Sequence, residues 1–380
     1  MPYPQADPGR LRVRALAGRH SKSSIREILI DPDSDPPPAP GLETSVSATV
    51  DRIAAARRRG AAVVLAFGAH LIKNGAGALL IRLLQQGWLT HLATQGAGGI
   101  HDWEFAYLGR SEEDVRANVA DGTFGAWDET GRYINLAVLV GGAGGLGYGE
   151  SLGSLIENEG LEIPDTGSLR REIAAGLESG TDGTAARTEL WETLVRCGIK
   201  AGFLSVPHPH KSSSVFAAAV RFGVPITVHP GIGYDIIYNH PLACGAALGR
   251  GGHIDYRVFC HSASNLSGGV MLSIGSAIMA PQVFEKALSF ANNLRLQDRA
   301  TACGGATCGG AIKDHYILVN DLGRSNWDWS RGEPPKSSPD YYLRFLKSFH
   351  RMGGTVRYIA ADNRVLLHHL VARLSELARP

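Results

Sequence analysis

Four stretches of the chain carry residues whose type and spacing could do chemistry. Two are rich in glycine: Gln95-Gly96-Ala97-Gly98-Gly99-Ile100-His101-Asp102 follows the apolar run LTHLAT, and GGAGGLGYGES (141–151) follows NLAVLV. Within the second, Gly142, Gly144 and Gly147 fit G-x-G-x-x-G between an expected strand and an expected helix. Bare backbone N–H groups at a helix start can hold a pyrophosphate, although a following strand with a ribose-binding acid about twenty residues on is not evident. A tight, flexible loop is the other reading of that run. Two glycine-rich strand ends together point to a nucleotide or another anionic ligand.

Histidines form the third group. His208 and His210 flank a proline directly after the run AGFLSV, and His229 closes the next expected strand. Such a set can place imidazoles on one metal, as in metal-dependent hydrolases; the alternative is a proline-rich turn with solvent-facing rings. Cys303 and Cys308 lie in ACGGATCGG with no second pair, which reads as a glycine loop rather than a zinc site. The fourth stretch opens with Ser338-Pro339-Asp340, a good helix start. On that helix Lys347 falls at the border of the apolar face, where an amine can be partly desolvated and nucleophilic or can snorkel to water.

These residues need a scaffold of strand ends. Apolar runs of strand length occur at 62–67, 89–94, 135–140, 201–206, 224–229, 255–260, 315–319 and 355–360, with helical patterns between them. Strand and helix in alternation predict βαβ units, a mostly parallel sheet and helices on both faces, with ligands beyond the carboxyl ends of the strands. Residues 1–43 read as a proline-rich, mobile extension, with DPDSDPPPAPG (31–41) extended, and 44–380 as one α/β domain.

Composition excludes several classes. Lys and Arg total 38 against 36 Asp and Glu, which gives a formal charge of only +2 and argues against a nucleic-acid backbone binder. No apolar run approaches the roughly 18–20 residues of a membrane span, and MPYPQADPGRLRVR lacks the apolar stretch of a secretory signal. Five cysteines without even spacing fit a reducing cytoplasm. Glycine is in excess at 47 of 380 residues and gathers after the apolar runs, where a backbone must approach something closely.

In order and content the blocks resemble deoxyhypusine synthase. AHLIKNG (69–75), a helix, LTHLAT and QGAGGIHD (95–102) match that family's loop, helix, strand and TTAGG run. KSSSVFAAAVRFGVPITVHPGIGYDIIYNH (211–240) is similar to its helix, strand and substrate loop, and SGGV (267–270) to its GGGV turn. PDYYLRFLK places Lys347 two turns beyond Pro339 and Asp340, as the family places its nucleophilic lysine, and VRYIAADN (356–363) resembles the strand that follows. Met271–Ile274 stands where the family has its histidine, and Tyr341 where it has a glutamate.

The resemblance implies a Rossmann-like NAD-binding fold and an NAD-dependent aminobutyl transferase. Lys347 would form an imine with a group derived from a polyamine such as spermidine, for transfer to an acceptor such as a protein lysine. It further implies NAD contacts from Ala97, Gly98, Gly99, Asp102, Gly268, Gly269 and Asp362. Asp235, Asp328 and Phe345 would meet the substrate, in a homotetramer. A metal-dependent hydrolase using His208, His210 and His229, or a silent nucleotide-binding protein, is the alternative.

Overall fold

The computed structural model describes residues 3–302, 310–323 and 325–378; Cys303 and Cys308 lie outside them. The strands are β1 Ser21–Ser24, β2 Val63–Phe67, β3 His91–Thr94, β4 Arg110–Glu113, β5 Gly160–Ile163, β6 Gly202–Ser205, β7 Ile226–Val228, β8 Val270–Ile274, β9 Tyr316–Asn320 and β10 Thr355–Ile359. Helices that position the site are α1 Glu43–Arg58, α2 Ala69–Lys73, α3 Gly77–Gln85, α4 Gly96–Leu108, α5 Asp128–Ala143 and α6 Tyr148–Glu157. They continue with α7 Val215–Arg221, α8 Gly245–Ser264, α9 Met279–Ala302, α10 Arg344–His350 and α11 Asn363–Ala378.

Six strands form one sheet in the order β10-β9-β8-β2-β3-β7, every pair parallel. Counted along the chain within this sheet, the order is 6-5-4-1-2-3, that of the doubly wound dinucleotide-binding sheets. The expected α/β class, with a Rossmann-like parallel sheet covered on both faces, is therefore present. In β2 the alternating side chains divide between two cores. Val63, Leu65 and Phe67 pack with α1, α3 and α11 on one face. Val64 and Ala66 pack with Phe259 of α8, Phe284 of α9 and Phe349 of α10 on the other. Burial on both faces is why the strand reads as continuously apolar.

Three expected strands differ. NLAVLV lies inside α5, where Ile134 to Leu139 are all buried, so an uninterrupted apolar run came from a helix enclosed on every side. Residues 255–260 lie inside α8. The segment 201–206 does give β6, but it pairs antiparallel with β5 outside the main sheet. In exchange β8, a central strand, comes from VMLSI, which begins at the Val270 that closes SGGV.

Gly142, Gly144 and Gly147 consequently span the end of α5 and the start of α6, and no strand precedes them. A side chain at Gly147 would run into the Asp255 carboxylate, so the protein itself fills that space. The dinucleotide fingerprint read there is thus corrected: it is a helix-to-helix turn.

Residues ahead of α1 lie against this body. β1 pairs antiparallel with β4, and Leu16 is fully buried. The proline-rich segment follows α3 and α11, with Asp33 paired to Arg82 at 2.8 Å and the Ser34 carbonyl 2.8 Å from His368 Nε2. Among the described residues no helix is long and apolar enough to cross a membrane.

Candidate functional site

A doubly wound sheet opens a crevice where the chain reverses its direction of winding, here between the carboxyl ends of β2 and β8. Gly68 ends β2 and Gly275 ends β8, and the two backbones touch: Gly68 N–H donates to the Ile274 carbonyl at 3.1 Å, and a Cβ at Gly68 would collide with the Gly275 carbonyl oxygen. Gly275 has φ +63°, a left-handed conformation natural to glycine. Asn320 at the end of β9 ties the neighbouring ends together, donating to the Ala361 carbonyl at 3.1 Å and to Asn363 Oδ1 at 2.6 Å.

Beyond these ends lies an open cavity of about 560 Å³ lined by Gln95, His229, Pro230, Tyr234, Ser276 and Met279, among others. Tyr234 also borders a second cavity of about 250 Å³, whose walls include Arg19, Lys73, His101, Glu112, Glu113 and Asp235. The loop 230–235 therefore separates a larger crevice from a smaller, charged chamber.

The chamber is built from distant parts of the chain. Arg19 makes a two-pronged ion pair with Glu104 of α4, both contacts 2.7 Å. Ser111 and Thr130 hydroxyls also donate to that carboxylate, at 2.6 and 2.9 Å. Burial alone would raise the Glu104 carboxyl, but Arg19 and these donors hold it below the ordinary glutamate range. Lys73 pairs with Glu112 at 3.1 Å, and Glu113 accepts from Asn118, the Gly125 N–H and Trp127 Nε1. Glu112 has φ +68°, outside the comfortable range for a residue with a side chain. His101, hydrogen-bonded to Ser111 at 2.8 Å, is pushed toward the neutral form by burial.

Asp235 differs from these acids. It is only 5% exposed, accepts the Gly231 N–H at 2.8 Å, and has no cationic partner among the described residues. Burial raises its carboxyl to about 6. Gly96, at the start of α4, exists in contact with it, because a Cβ there would strike the carboxylate.

The structure gathers some of the residues singled out in the sequence and scatters others. Ala97 and Asp235 line the chamber, and His229 the crevice. Gly98 and Gly99 face inward, against Thr94 and against Leu152 and Phe216. Asp102 is buried, accepting from Ser214 Oγ, Val215 N–H and Phe216 N–H at the start of α7. Gly268 and Gly269 precede β8 and so lie at the opposite end of the sheet from the crevice. Asp362 follows β10 and pairs with Arg364 at 2.8 Å. Phe345 packs against Tyr358 and Gly323, and Asp328 is exposed ahead of a short helical turn at Trp329–Arg331. Lys347, on α10, sets its Nζ over the Tyr341 ring, 3.5 Å from the centroid, and lines neither cavity. The chamber's Arg19, Glu104, Glu112 and Glu113 carried no local pattern that would have marked them in the sequence, and Lys73 lay unremarked within AHLIKNG.

No known family model matches the chain, and no curated protein matches it. Solved structures similar to it include AgrE in ternary complex with ornithine and NAD+, at TM-score 0.40 and 16% identity over 88% of this chain and 33% of that one. ArgZ, an arginine dihydrolase from the ornithine-ammonia cycle in cyanobacteria, gives TM-score 0.39 and 13% identity over 88% of this chain and 33% of its own. A conserved candidate LOR/SDH protein from Methanococcus maripaludis S2 gives 0.42 and 11% over 92% and 74%. The chain thus spans about a third of AgrE and ArgZ.

These neighbours are not deoxyhypusine synthases, and the kinship expected from the sequence blocks is corrected accordingly. The geometry agrees with the correction. SGGV stands at the wrong end of β8 to serve the crevice, and Lys347 is engaged with Tyr341. Aminobutyl transfer through Lys347, with its polyamine, its protein-lysine acceptor and its tetramer, is withdrawn. The histidine alternative fares no better. His208 is buried edge-on against the stacked Trp103 and Tyr107 rings, each 6.0 Å away, while His229 stands against Phe259. Among the described residues no three His, Cys, Asp or Glu side chains could share a metal ion.

Proposed function

We propose that the chain is an NAD-dependent enzyme acting on a small amine. The observation that carries this reading is the pairing of cavities across Tyr234: an open crevice at the sheet's switch point, and beside it a chamber with a buried carboxylate that has no cationic partner among the described residues. The crevice fits an extended dinucleotide because it opens at the switch point of the sheet, beyond the carboxyl ends of β2 and β8, with Gly275 in its wall. Gln95, His229 and Ser276 supply polar side chains around it. When bound there, NAD supplies a hydride acceptor.

The chamber sets the substrate class. Glu104, Glu112, Glu113 and Asp235 face two permanent cations, Arg19 and Lys73, and both cations are already paired. Asp235 is left to an incoming positive charge, because a buried carboxylate is stable as an ion only beside one. A primary ammonium group would satisfy it, and the modest volume of about 250 Å³ selects a small molecule. Burial raises the Asp235 carboxyl to about 6, and an ammonium bound beside it would lower it again and hold it ionised. AgrE, bound to ornithine and NAD+, pairs the same ligand classes, though the reading rests on the cavities.

The test is direct titration of the purified protein with NADH, followed by energy transfer from protein tryptophan, and then a screen of small cationic amino acids for NADH formation at 340 nm. Saturable binding and turnover with an amine are the expected results. A protein that binds no dinucleotide sinks the proposal.

A further inference from the structure

One buried polar chain runs from the crevice wall into the body of the protein. His229 borders the crevice, and its Nε2 lies 3.2 Å from Thr227 Oγ1. Thr227 Oγ1 lies 2.9 Å from His91 Nε2, and His91 Nδ1 lies 2.8 Å from Ser262 Oγ near the end of α8. Thr227 pairs with Ala93 across β7 and β3, so these side chains share the sheet face covered by α8. Phe259 closes over them, 5.1 Å from the His91 ring and 5.5 Å from that of His229. His91 and Thr227 are almost wholly buried, whereas Ser262 is half-exposed. His229 Nδ1 has no protein partner among the described residues and is the nitrogen left for the crevice.

We infer that His229, Thr227, His91 and Ser262 form a proton relay from the crevice to the outer surface of α8. Each link between these side chains can hold one donor and one acceptor, and the Leu92 carbonyl, 3.4 Å from Thr227 Oγ1, is the competing acceptor for the threonine's proton. A proton from a water in the crevice bonds to His229 Nδ1, and the proton on Nε2 leaves for Thr227 Oγ1. The threonine's own proton passes to His91 Nε2, the proton on His91 Nδ1 passes to Ser262 Oγ, and the serine releases one to water. One proton crosses, no electrons change hands, and both rings end with tautomers reversed, ready to carry a proton inward. Burial keeps both imidazoles neutral, at about 3 for His91 and about 4 for His229, so each ring offers one donor and one acceptor nitrogen. The inference rests on the amine–NAD reading only for the source of the proton.

The chain itself is tested on the protein without ligand, by nitrogen-15 NMR of the histidine rings. A connected relay requires His229 to carry its proton on Nε2 and His91 on Nδ1, or both reversed. Rings that both carry it on Nε2 would make Thr227 an acceptor twice over and overturn the inference. Turnover gives the second arm. Thr227→Val removes the hydroxyl at nearly constant shape and should lower kcat about tenfold or more, with KM within about twofold, while Thr227→Ser restores it. Ser262→Ala, at the half-exposed end, should lower kcat in the same way and serves if the valine variant does not fold. Wild-type kcat in both Thr227→Val and Ser262→Ala would overturn the relay. Failure of the wild-type protein to bind NADH would instead sink the cofactor reading, and the ring tautomers would still decide whether the chain is connected.

Discussion

Arg19 and Glu104, 85 residues apart, meet in a two-pronged ion pair that is almost completely buried, with side chains 2% and 1% exposed. One partner comes from the segment ahead of the first long helix, the other from α4, which follows the sheet's second strand. The pair therefore fastens the N-terminal segment to the wall of the chamber. Removing one member of a buried pair leaves an uncompensated charge, which costs about 3–5 kcal/mol.

Arg19→Met should accordingly destabilise the protein by about 3–5 kcal/mol in urea unfolding. Adding Glu104→Gln to it should recover part of the loss, because the stranded carboxylate is then gone. If Arg19→Met proves as stable as the parent, the segment is not fastened in this way. A chain lacking residues 1–20 should show the same loss and should bind amines poorly.

Asp235 gives a prediction with a definite pH window. Its folded carboxyl is raised by burial to about 6, above its ordinary value of 3.8, so the folded state binds the proton more tightly than the unfolded chain does. The stability tied to this proton is fully present below about pH 4 and is lost as pH rises through 6. Asp235→Asn should therefore match the parent near pH 4 and exceed it by about 2–3 kcal/mol above pH 7. A saturating amine substrate should narrow that gap, since it binds the carboxylate of the parent alone. Denaturant midpoints of the two proteins between pH 4 and 8 check this; a gap independent of pH would remove Asp235 as a titrating group.

The sheet was readable where strands are buried on both faces, and less so elsewhere. Five of its six strands stand out as short apolar runs, while VMLSI was hidden behind a glycine turn and NLAVLV imitated a strand from inside an enclosed helix. Periodicity cannot separate a fully buried strand from a fully buried helix over six residues. Asp235 and His229 were visible because they follow a strand. Arg19, Glu104, Glu112 and Glu113 were not, since only the pairing of β1 with β4 brings them together. Asp255 was also silent: a lone acid at the head of a run read as a strand gives no hint that it accepts the Gly149 and Val228 N–H groups, or that burial raises its carboxyl to about 8.

The switch point makes a steric prediction. Gly68→Ala would force its new methyl group onto the Gly275 carbonyl oxygen, and the ends of β2 and β8 must part to admit it. Overpacking of this kind costs about 1–3 kcal/mol. It should also weaken NADH binding at least tenfold, about 1.4 kcal/mol, because the displaced Gly275 lines the crevice. Gly60→Ala is a useful contrast, since nothing lies near its Cβ and only its φ of +69° resists the change. That variant should lose some stability and no affinity. Equal affinity in the parent and in Gly68→Ala would place the dinucleotide elsewhere.

Asp102 separates a structural role from a ligand role. Its carboxylate accepts from Ser214 Oγ at 2.5 Å and from the Val215 and Phe216 N–H groups at 2.8 and 3.3 Å, which caps the first turn of α7 from a neighbouring helix. Burial raises this carboxyl to about 6, and the three donors only partly offset that. Asp102→Ala should strip the helix start of its acceptor and cost about 2–4 kcal/mol. Asp102→Asn keeps one acceptor oxygen and sheds the burial cost of a charge, so its loss relative to the parent should shrink as pH rises from about 4 through 6 and level off above that, at about 1 kcal/mol or less. NADH affinity should be the same in Asp102→Asn as in the parent, since the carboxylate faces α7. A loss of affinity without a loss of stability would instead make Asp102 a cofactor ligand, as the sequence blocks implied.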